Sequence, residues 1–318
     1  MRIVVTGALG HIGSSLIREL PSLLPGRPIM LVDNMLTQRY CSLFDLPKQG
    51  DYTFQEADIL TADLDKLLQP GDAVVHLAAI TDAANSFQNP GKVEEVNADG
   101  TERVARACAA KGCKLLFLSS TSVYGTQAEE VDEECGPDEL KPQSPYAESK
   151  LKGEAMLTGL GRTAGLRYVI FRFGTIFGVS PGMRFHTAIN KFVWQACLGS
   201  PITVWRTAID QQRPYLDLSD AVRAIGFALS KDLFDGKIYN VLTLNTTVRS
   251  IADAIKRFVP DLQVKLVDER IMNQLSYRVA NERFRKAGFE FQGNLETGIR
   301  ESVERLSALA AGRLGKKT

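Results

Sequence analysis

The stretch Ile3-Val-Val-Thr-Gly-Ala-Leu-Gly-His-Ile-Gly13 places a short apolar run directly before three spaced glycines. Gly7 permits a tight turn, Gly10 lets a ligand approach the backbone, and Gly13 lets strand and helix pack closely. The helix that follows has free N–H groups and a positive end, which attract phosphate oxygens. The stretch therefore predicts a strand, a turn and a helix that bind the diphosphate of a dinucleotide. A structural turn without a ligand is the alternative.

An acidic residue ends the next apolar run, Ile29-Met-Leu-Val-Asp33, about 20 positions beyond the glycines. A carboxylate at this place accepts hydrogen bonds from ribose hydroxyls and repels a 2′-phosphate, so it favours NAD over NADP. Asp33 could instead cap the following turn. Asp58 follows another short run, and the same two interpretations, contact with the adenine edge or a turn cap, apply to it.

Short β-rich runs alternate with helical stretches through the first half of the chain. Runs such as Ala73-Val-Val-His-Leu-Ala-Ala79 are apolar without clean alternation, as expected for strands covered on both faces. The predicted strands are Ile3–Thr6, Ile29–Val32, Tyr52–Glu56, Ala73–Leu77, Leu115–Leu118 and Tyr168–Arg172. The predicted helices are Ile12–Leu20, Gly91–Lys111 and Tyr146–Gly159. This order predicts an α/β fold with a doubly wound, mostly parallel sheet.

The pattern loosens after Arg172, where we predict a smaller C-terminal α/β substrate lobe. Its predicted elements, together with those that return to the main sheet, are the helices Arg184–Cys197, Leu218–Ser230, Ser250–Val259 and Glu296–Leu309 and the strands Pro214–Asp217 and Lys237–Val241. We therefore assign residues 1–173 and 214–241 to a dinucleotide-binding domain and residues 174–213 and 242–318 to the substrate lobe.

Composition and charge argue against several classes of protein. The formal net charge is +1, which provides no electrostatic footprint for nucleic acid. The 5 cysteines form no CxxC pair, which is typical of reduced thiols in a cytoplasmic protein. The 3 histidines lie in unrelated contexts, so no metal site is expected. A strand-like run directly after Met1 and the shortness of all apolar runs predict neither a secretion signal nor a membrane span.

A tyrosine, a lysine and an upstream serine form a candidate catalytic set. Tyr146 and Lys150 are four residues apart in a predicted helix, so both side chains project from one face. A free tyrosine has a pKa near ~10 and is a poor base, whereas an adjacent ammonium favours the phenolate. Ser120 ends the buried run Leu115–Ser120 and can share the proton of a substrate hydroxyl. Packing alone is the alternative for an isolated Tyr-x-x-x-Lys.

Taken in order along the chain, these motifs resemble the extended short-chain dehydrogenases/reductases, in the NAD-dependent nucleotide-sugar epimerase/dehydratase group. The resemblance covers the chain from Met1 to about Val241 and weakens afterwards. It is carried by Thr6-Gly7-x-x-Gly10-x-x-Gly13, Asp33-Asn34, Asp58-Ile59, His76-Leu-Ala-Ala79, Val96-Asn97-x-x-Gly100-Thr101, Ser119-Ser120-x-x-Val123-Tyr124-Gly125 and Tyr146-x-x-x-Lys150.

The resemblance implies a Rossmann sheet, NAD as the cofactor and a nucleotide sugar as the substrate. The expected cofactor-binding residues are Gly7, Gly10, His11, Ile12, Gly13, Asp33, Asn34, Asp58, Ile59, Leu77, Ala78, Ala79, Asn97, Tyr146 and Lys150. The expected catalytic residues are Ser120, Tyr146 and Lys150. The expected substrate-binding residues are Thr121, Ser122, Thr175, Thr187, Arg213 and Arg278. Arg213 resembles the arginine that grips the diphosphate of the sugar nucleotide, and a surface ion pair is its alternative. Arg278 is equally a second phosphate contact or a solvated arginine.

The chain departs from its relatives at two positions that often carry substrate-binding asparagines. Thr175 and Thr187 stand there, and Arg184 and His186 are placed to supply other polar contacts. Dehydratases of the group carry an Asp-Glu pair after the catalytic hydroxyl, where this chain has Thr121-Ser122. These hydroxyls do not titrate near neutral pH, so we expect no elimination of water.

The leading functional hypothesis is a nucleotide-sugar 4-epimerase that acts through a transient 4-keto sugar. The first alternative is an NAD-dependent sugar or amino-acid dehydrogenase or ketoreductase of the same fold. The second is a non-catalytic NAD-sensing regulator, a class that usually loses the tyrosine or the lysine. In relatives, helices corresponding to Lys92–Lys111 and Tyr146–Leu160 pair across a two-fold axis, so the resemblance also implies a homodimer with a four-helix interface.

Overall fold

The chain is described here by a computed structural model that covers residues 1–125, 130–268 and 277–314. Its strands are β1 (Ile3–Thr6), β2 (Pro28–Asp33), β3 (Asp51–Glu56), β4 (Ala73–His76), β5 (Lys114–Ser120), β6 (Glu130–Val131), β7 (Arg167–Phe173), β8 (Thr175–Phe177), β9 (Ile202–Trp205), β10 (Gln212–Asp217), β11 (Ile238–Val241), β12 (Leu244–Thr247), β13 (Val264–Val267) and β14 (Arg278–Val279). Its helices are α1 (His11–Leu23), α2 (Leu64–Leu67), α3 (Pro90–Glu94), α4 (Gly100–Lys111), α5 (Pro145–Ala164), α6 (Ala188–Cys197), α7 (Leu218–Ser230), α8 (Val248–Lys256), α9 (Glu282–Lys286) and α10 (Leu295–Leu314).

The main sheet is parallel throughout and confirms the predicted doubly wound fold. Its strand order is β11-β7-β5-β4-β1-β2-β3. The strand order reverses between β1 and β4, which pair in parallel with Thr6 opposite His76. In sheets of this kind, ligands bind beyond the carboxyl ends of the strands at such a switch point. The glycine-rich turn after Thr6 lies at this place.

The strands β1, β4, β5 and β7 are buried on both faces of the sheet, because their apolar side chains alternate between two cores, whereas the edge strand β3 is largely exposed. Ile3 and Val5 belong to the core that contains Leu16 of α1, and Val4 belongs to the core that contains Leu157 of α5. The sheet is therefore a fixed platform, and its loops carry the site. No helix within the described ranges combines the length and the apolar character that a membrane span requires.

The smaller lobe has its own apolar core between α6, α8, α10 and the strands β9, β10 and β12. Its sheets are β12-β10-β8 and β13-β9. The strand Pro214–Asp217, which we expected in the main sheet, lies in β10 and pairs with β8 and β12 instead. Within the segment 214–241, β11 pairs with β7 and α7 packs against α1, so both belong to the main domain, and Leu216 of β10 also lies in its core.

Two further boundaries differ from those predicted. The aromatic side chain of Phe284 in α9 packs against Phe171 and Tyr239, so this part of the predicted substrate lobe belongs to the core of the main domain. The helix expected from Arg184 begins only at Ala188, since the residues before it run across to the glycine-rich turn. Residues 269–276 and 315–318 of the predicted substrate lobe lie outside the described residues.

Candidate active site

The glycine-rich turn fits against the end of β4 so closely that side chains are excluded from it. Gly7 has a φ of +66°, and a Cβ on it would lie 2.7 Å from the backbone nitrogen of Ala78. A Cβ on Gly13 would lie 2.5 Å from the carbonyl oxygen of Gly7. Gly10 precedes α1, and no side chain caps the N–H groups of that helix. The turn therefore offers backbone donors to a diphosphate, which is the fit that NAD requires.

Asp33 ends β2 beside this turn, with its carboxylate held by the backbone. Its oxygens accept hydrogen bonds from the N–H groups of Leu9 and Met35, each at 3.0 Å. The expected cap and the expected ribose contact are thus compatible, since a carboxylate can accept about four hydrogen bonds. Asn34 donates from Nδ2 to Asp58 at 3.0 Å, which joins the two acidic strand ends. Ile59 follows Asp58 and is buried in the core.

The end of β4 is held in place by a neutral histidine. Burial lowers the pKa of His76 to about 3, and the charge of Lys150 lowers it further. Its ring bonds the hydroxyls of Thr6, at 2.7 Å, and Thr101, at 3.1 Å. The N–H of Leu77 donates to the carbonyl of Thr6 at 3.0 Å, so the run Leu77, Ala78, Ala79 passes alongside the glycine-rich turn.

Asn97 lies in a π-helical turn, Glu95–Asp99, between α3 and α4. Turns of this kind are frequent at functional sites. The side chain bonds both backbone groups of Ile80, with Oδ1 accepting at 2.8 Å and Nδ2 donating at 2.9 Å. Nδ2 also donates to Ser149 at 3.1 Å, and the Ser149 hydroxyl donates to the carbonyl of Tyr146 at 2.8 Å. Asn97 therefore fixes the loop after β4 relative to the start of α5.

The hydroxyl of Ser120 is oriented by its neighbour. The backbone N–H of Ser122 donates to Ser120 Oγ at 3.2 Å, and the Ser122 hydroxyl donates to it at 2.9 Å. With both donors directed at Ser120 Oγ, the hydroxyl proton of Ser120 is left for another acceptor, and Ser120 lies close enough to Tyr146 to lower its pKa. The end of β5 and the first turn of α5 thus bring Ser120 and Tyr146 together as predicted.

The electrostatics of Tyr146 differ in one respect from our expectation. Burial is the largest influence and raises the pKa of the phenol, whereas the hydrogen bond from Ser120 and the charge of Arg184 lower it. Lys150 Nζ lies 5.9 Å from the centroid of the Tyr146 ring and 4.9 Å from that of Phe117. Arg184 is thus a second cation near Tyr146, in addition to the Lys150 that we expected beside the ring.

Lys150 is buried, and its pKa is lower than that of an exposed lysine. Burial lowers its pKa to about 8, and the charge of Glu154, one helical turn later, counteracts this effect. Glu154 accepts hydrogen bonds from Ser119 at 2.5 Å and from Arg172 Nε and Nη2 at 2.9 and 2.7 Å. This ion pair joins α5, β5 and β7 directly behind the catalytic set.

Thr121 and Ser122, two of the expected substrate-binding residues, differ in burial and in the hydrogen bonds that their hydroxyls form. Thr121 is buried, and its hydroxyl donates to the carbonyl of Phe173 at 3.3 Å. It also accepts a hydrogen bond from Tyr277 at 3.4 Å, and burial raises the pKa of Tyr277 to about 12. Ser122 is partly exposed and bonded to Ser120. Sequence reasoning missed Tyr277, because only the packing of the chain brings it to Thr121.

The remaining expected substrate contacts lie in the smaller lobe. Thr187 precedes α6, and its buried hydroxyl lacks a hydrogen-bond partner among the described residues. Arg213 lies in β10, and its charge lowers the pKa values of Tyr215 and of Tyr277, the tyrosine that is bonded to Thr121. Thr175 begins β8 opposite Tyr215. Arg278 is exposed and forms an ion pair with Glu130 at 3.2 Å, as in the solvated alternative.

Three comparisons describe what the chain resembles. A model of the NAD dependent epimerase/dehydratase family matches residues 3–241. An uncharacterised UDP-glucose epimerase of Bacillus subtilis is 32% identical over 251 residues, which are 76% of this chain and 76% of that protein. A trifunctional UDP-glucose 4,6-dehydratase, 3,5-epimerase and UDP-4-keto-L-rhamnose reductase of Arabidopsis thaliana is 28% identical over 95% of this chain. The chain spans only 46% of that plant protein.

The fold has a close counterpart among solved structures. The UDP-glucuronic acid 4-epimerase of Bacillus cereus, in complex with UDP-glucuronic acid and NAD, superposes with a TM-score of 0.84. The two sequences are 25% identical, and the superposition covers 97% of this chain and 100% of the other.

Proposed function

Because the chain belongs to the NAD-dependent epimerase/dehydratase family and is an enzyme that uses NAD, we propose that it is a nucleotide-sugar 4-epimerase. The observation that carries this proposal is the arrangement of hydroxyls around the catalytic tyrosine. Ser120 lies close enough to Tyr146 to lower its pKa, and the two following positions are Thr121 and Ser122, without a carboxylate. Such a site can hold a sugar while its C4 is oxidised and then reduced again. The two positions after Ser120 carry no group that could act as the acid or base of an elimination.

In the proposed reaction, Tyr146 removes the proton of the sugar 4-hydroxyl, and Ser120 shares that proton through its own hydrogen bond. NAD, held by the glycine-rich turn and Asp33, would supply the acceptor and the donor of hydride for C4 of the sugar. Tyr146 then gives the proton back to the new 4-hydroxyl. Lys150 supplies positive charge behind the ring, and its ammonium form predominates below a pH of about 8.

The proposed cofactor site consists of the turn with Gly7, Gly10 and Gly13, the carboxylate of Asp33 and the loop after β4. The turn would bind the diphosphate through backbone N–H groups, and Asp33 would bind the adenosine ribose. Asn34, Asp58 and Ile59 would lie on the adenine side. Leu77, Ala78, Ala79, held by Asn97, would line the nicotinamide ribose.

The proposed substrate is a nucleoside diphosphate sugar. UDP-sugars appear in the names of the Bacillus subtilis and Arabidopsis relatives and in the Bacillus cereus complex, which supports this class. Arg213 would bind the diphosphate, because a planar guanidinium matches phosphate oxygens in pairs. Ser122, Thr175 and Thr187 would contact the sugar, and the unpartnered hydroxyl of Thr187 is the strongest of these candidates.

A homodimer through α4 and α5 remains a proposal. The two helices pack against each other within the chain, and Lys152 of α5 pairs with Glu94 of α3 at 2.5 Å. The small side chains Ala110 and Ala155 are exposed on these helices and permit close approach of a second copy. Light scattering should give twice the chain mass of 35.0 kDa, and a monomer at micromolar concentration would contradict the proposal.

The reaction is tested by incubating the purified protein with UDP-, GDP-, CDP- and dTDP-sugars and following the 4-epimers by NMR. A 4-epimerase interconverts one pair of epimers without net formation of NADH. Net NADH formation that depends on substrate would instead identify a dehydrogenase. Tyr146→Phe serves as the control, since it keeps the ring and removes only the hydroxyl.

A further inference from the structure

A segment of the smaller lobe, Ser180–Arg184, lies on the glycine-rich turn of the main domain. The His11 ring is bonded to the hydroxyl of Ser180 at 2.8 Å, across a separation of 169 residues. The N–H of Gly182 donates to the hydroxyl of Ser14 at 2.9 Å. We call the segment Ser180–Arg184 the covering segment. It joins the two lobes at the start of α1.

The contact is close enough to require glycine in the covering segment. A Cβ on Gly182 would lie 2.4 Å from the carbonyl oxygen of Leu9 and 2.5 Å from that of Gly10. Since real Cβ atoms do not approach backbone so closely, the two backbones are packed directly on each other. The carbonyl of Pro181 also accepts a hydrogen bond from Cys41 at 3.5 Å, on the segment that follows β2.

The same contact gathers basic side chains, Arg39 and Arg184, beside His11, and Asp33 is the acidic group that acts on both arginines. Burial lowers the pKa of Arg184, and the charge of Arg39 lowers it further. Burial lowers the pKa of His11 to about 3, with smaller effects from Arg184 and Arg39. The charge of Arg39 therefore acts on both Arg184 and His11, and the three side chains lie near one another. Asp33 and Asp82 counteract only part of this repulsion at Arg184.

Two atoms of this cluster are buried without a hydrogen-bond partner among the described residues, His11 Nε2 and Arg39 Nη1. Arg184 donates from Nη1 to Thr81 at 2.9 Å, and its guanidinium is close enough to Arg39 for the two charges to interact. Buried donors normally have partners, and buried charges are normally paired. The unpaired Arg39 donor and the Arg184 guanidinium, near the uncapped N-terminus of α1, are therefore complementary to a polyanion.

We propose that Arg39 and Arg184 clamp the diphosphate of NAD from the two lobes, with the covering segment closing over the glycine-rich turn. The cofactor is thereby held by the smaller lobe as well as by the dinucleotide-binding domain. NAD cannot leave until the covering segment separates from the turn. This suits an enzyme whose cofactor is restored within each turnover and does not need to be exchanged. The inference requires only that the chain binds NAD and goes beyond the epimerase proposal.

The test is the release of cofactor from Arg184→Gln, measured without any sugar nucleotide. Bound NADH is displaced from the full-length protein by excess NAD, and its fluorescence is followed. Loss of a charge-assisted hydrogen bond should speed release by about ten- to hundredfold. Competition by ADP-ribose, which has the diphosphate, should weaken by the same factor. Competition by adenosine, which lacks it, should not change. Arg184→Lys should fall between the two, because lysine keeps the charge without the planar fork.

Arg249→Gln is the matched control, since Arg249 is an exposed arginine of the smaller lobe paired with Asp210 at 2.7 Å. Its release rate should equal that of the unmodified protein. Unchanged release from Arg184→Gln would overturn the proposal, as would weaker NADH binding with unchanged ADP-ribose binding. A rise in KM for the nucleotide sugar alone would also overturn it and assign Arg184 to the substrate. Should Arg184→Gln fail to fold, Arg39→Gln tests the clamp from the other side, with the same three ligands.

Discussion

Glu154→Gln removes the negative charge that faces Arg172 and Lys150 while it keeps the shape of the side chain. Both members of the Glu154–Arg172 pair are almost fully buried, with 4% and 3% of their side chains exposed. The variant leaves the Arg172 guanidinium buried without a carboxylate and directs an amide N–H₂ group at existing donors. Breaking a buried pair from one side costs about 3–5 kcal/mol. We expect the free energy of unfolding in urea to fall by that amount.

The same substitution should shift the pH dependence of activity. Glu154 raises the pKa of Lys150 against burial, which holds that pKa at about 8. Without the carboxylate, the pKa of Lys150 falls further, and its ammonium is lost at a lower pH. The alkaline limb of the kcat profile should therefore move toward neutral pH. A double measurement of kcat against pH and of urea unfolding separates this electrostatic effect from a loss of folded protein.

The matched control is Glu94→Gln, which breaks the ion pair with Lys152. The side chains of this pair are 41% and 56% exposed, so the change should alter stability by about 0–1 kcal/mol and leave the pH profile in place. An unfolding free energy of Glu154→Gln within about 0.5 kcal/mol of the unmodified protein would refute the role of the ion pair. An alkaline limb at its original pH would refute the coupling to Lys150.

Three further predictions concern the reaction and the cofactor. Tyr146→Phe should keep folding and NAD binding but lower kcat by about 10²–10⁴, the usual effect of one proton-transfer group. Ser120→Ala should lower kcat by a smaller factor. Normal turnover in Tyr146→Phe would refute the mechanism. Asp33→Ala should weaken the binding of NAD and reduce the difference in affinity between NAD and NADP, as measured by fluorescence titration. Tighter binding of NADP than of NAD by the unmodified protein would contradict the proposed ribose contact. No 4-keto-6-deoxy product should appear by its alkaline absorbance on incubation with hexose nucleotides, because Thr121 and Ser122 stand where dehydratases carry an acid pair. Asp82 accepts hydrogen bonds from Asn85 at 3.0 and 2.7 Å, so it is already engaged. If the 4-keto-6-deoxy product did appear, another carboxylate would have to act as the acid or base of the elimination.

Features that depend on neighbouring residues could be predicted from the sequence. The glycine-rich turn follows β1 because the spacing of Gly7, Gly10 and Gly13 satisfies local steric requirements. Tyr146 and Lys150 share one face of α5 because a helix repeats after about 3.6 residues. The strands β1, β2, β4 and β5 were predictable since they are covered on both faces and their runs are largely apolar. Each of these inferences uses a distance of a few residues along the chain.

Features that join distant residues were decided only by the tertiary structure. Pro214–Asp217 has the composition of a main-sheet strand, yet β10 pairs with β8 and β12, because strand pairing depends on where the connecting segments lead. Tyr277 contacts Thr121, 156 residues away along the chain, and no periodicity in the sequence predicts that contact. Arg184 was expected within a helix, but Gly182 packs on the backbone of Gly10, and the turn of the chain this requires delays the helix to Ala188. Local spacing sets the turn that receives the cofactor, and close packing between the lobes decides which charges surround it.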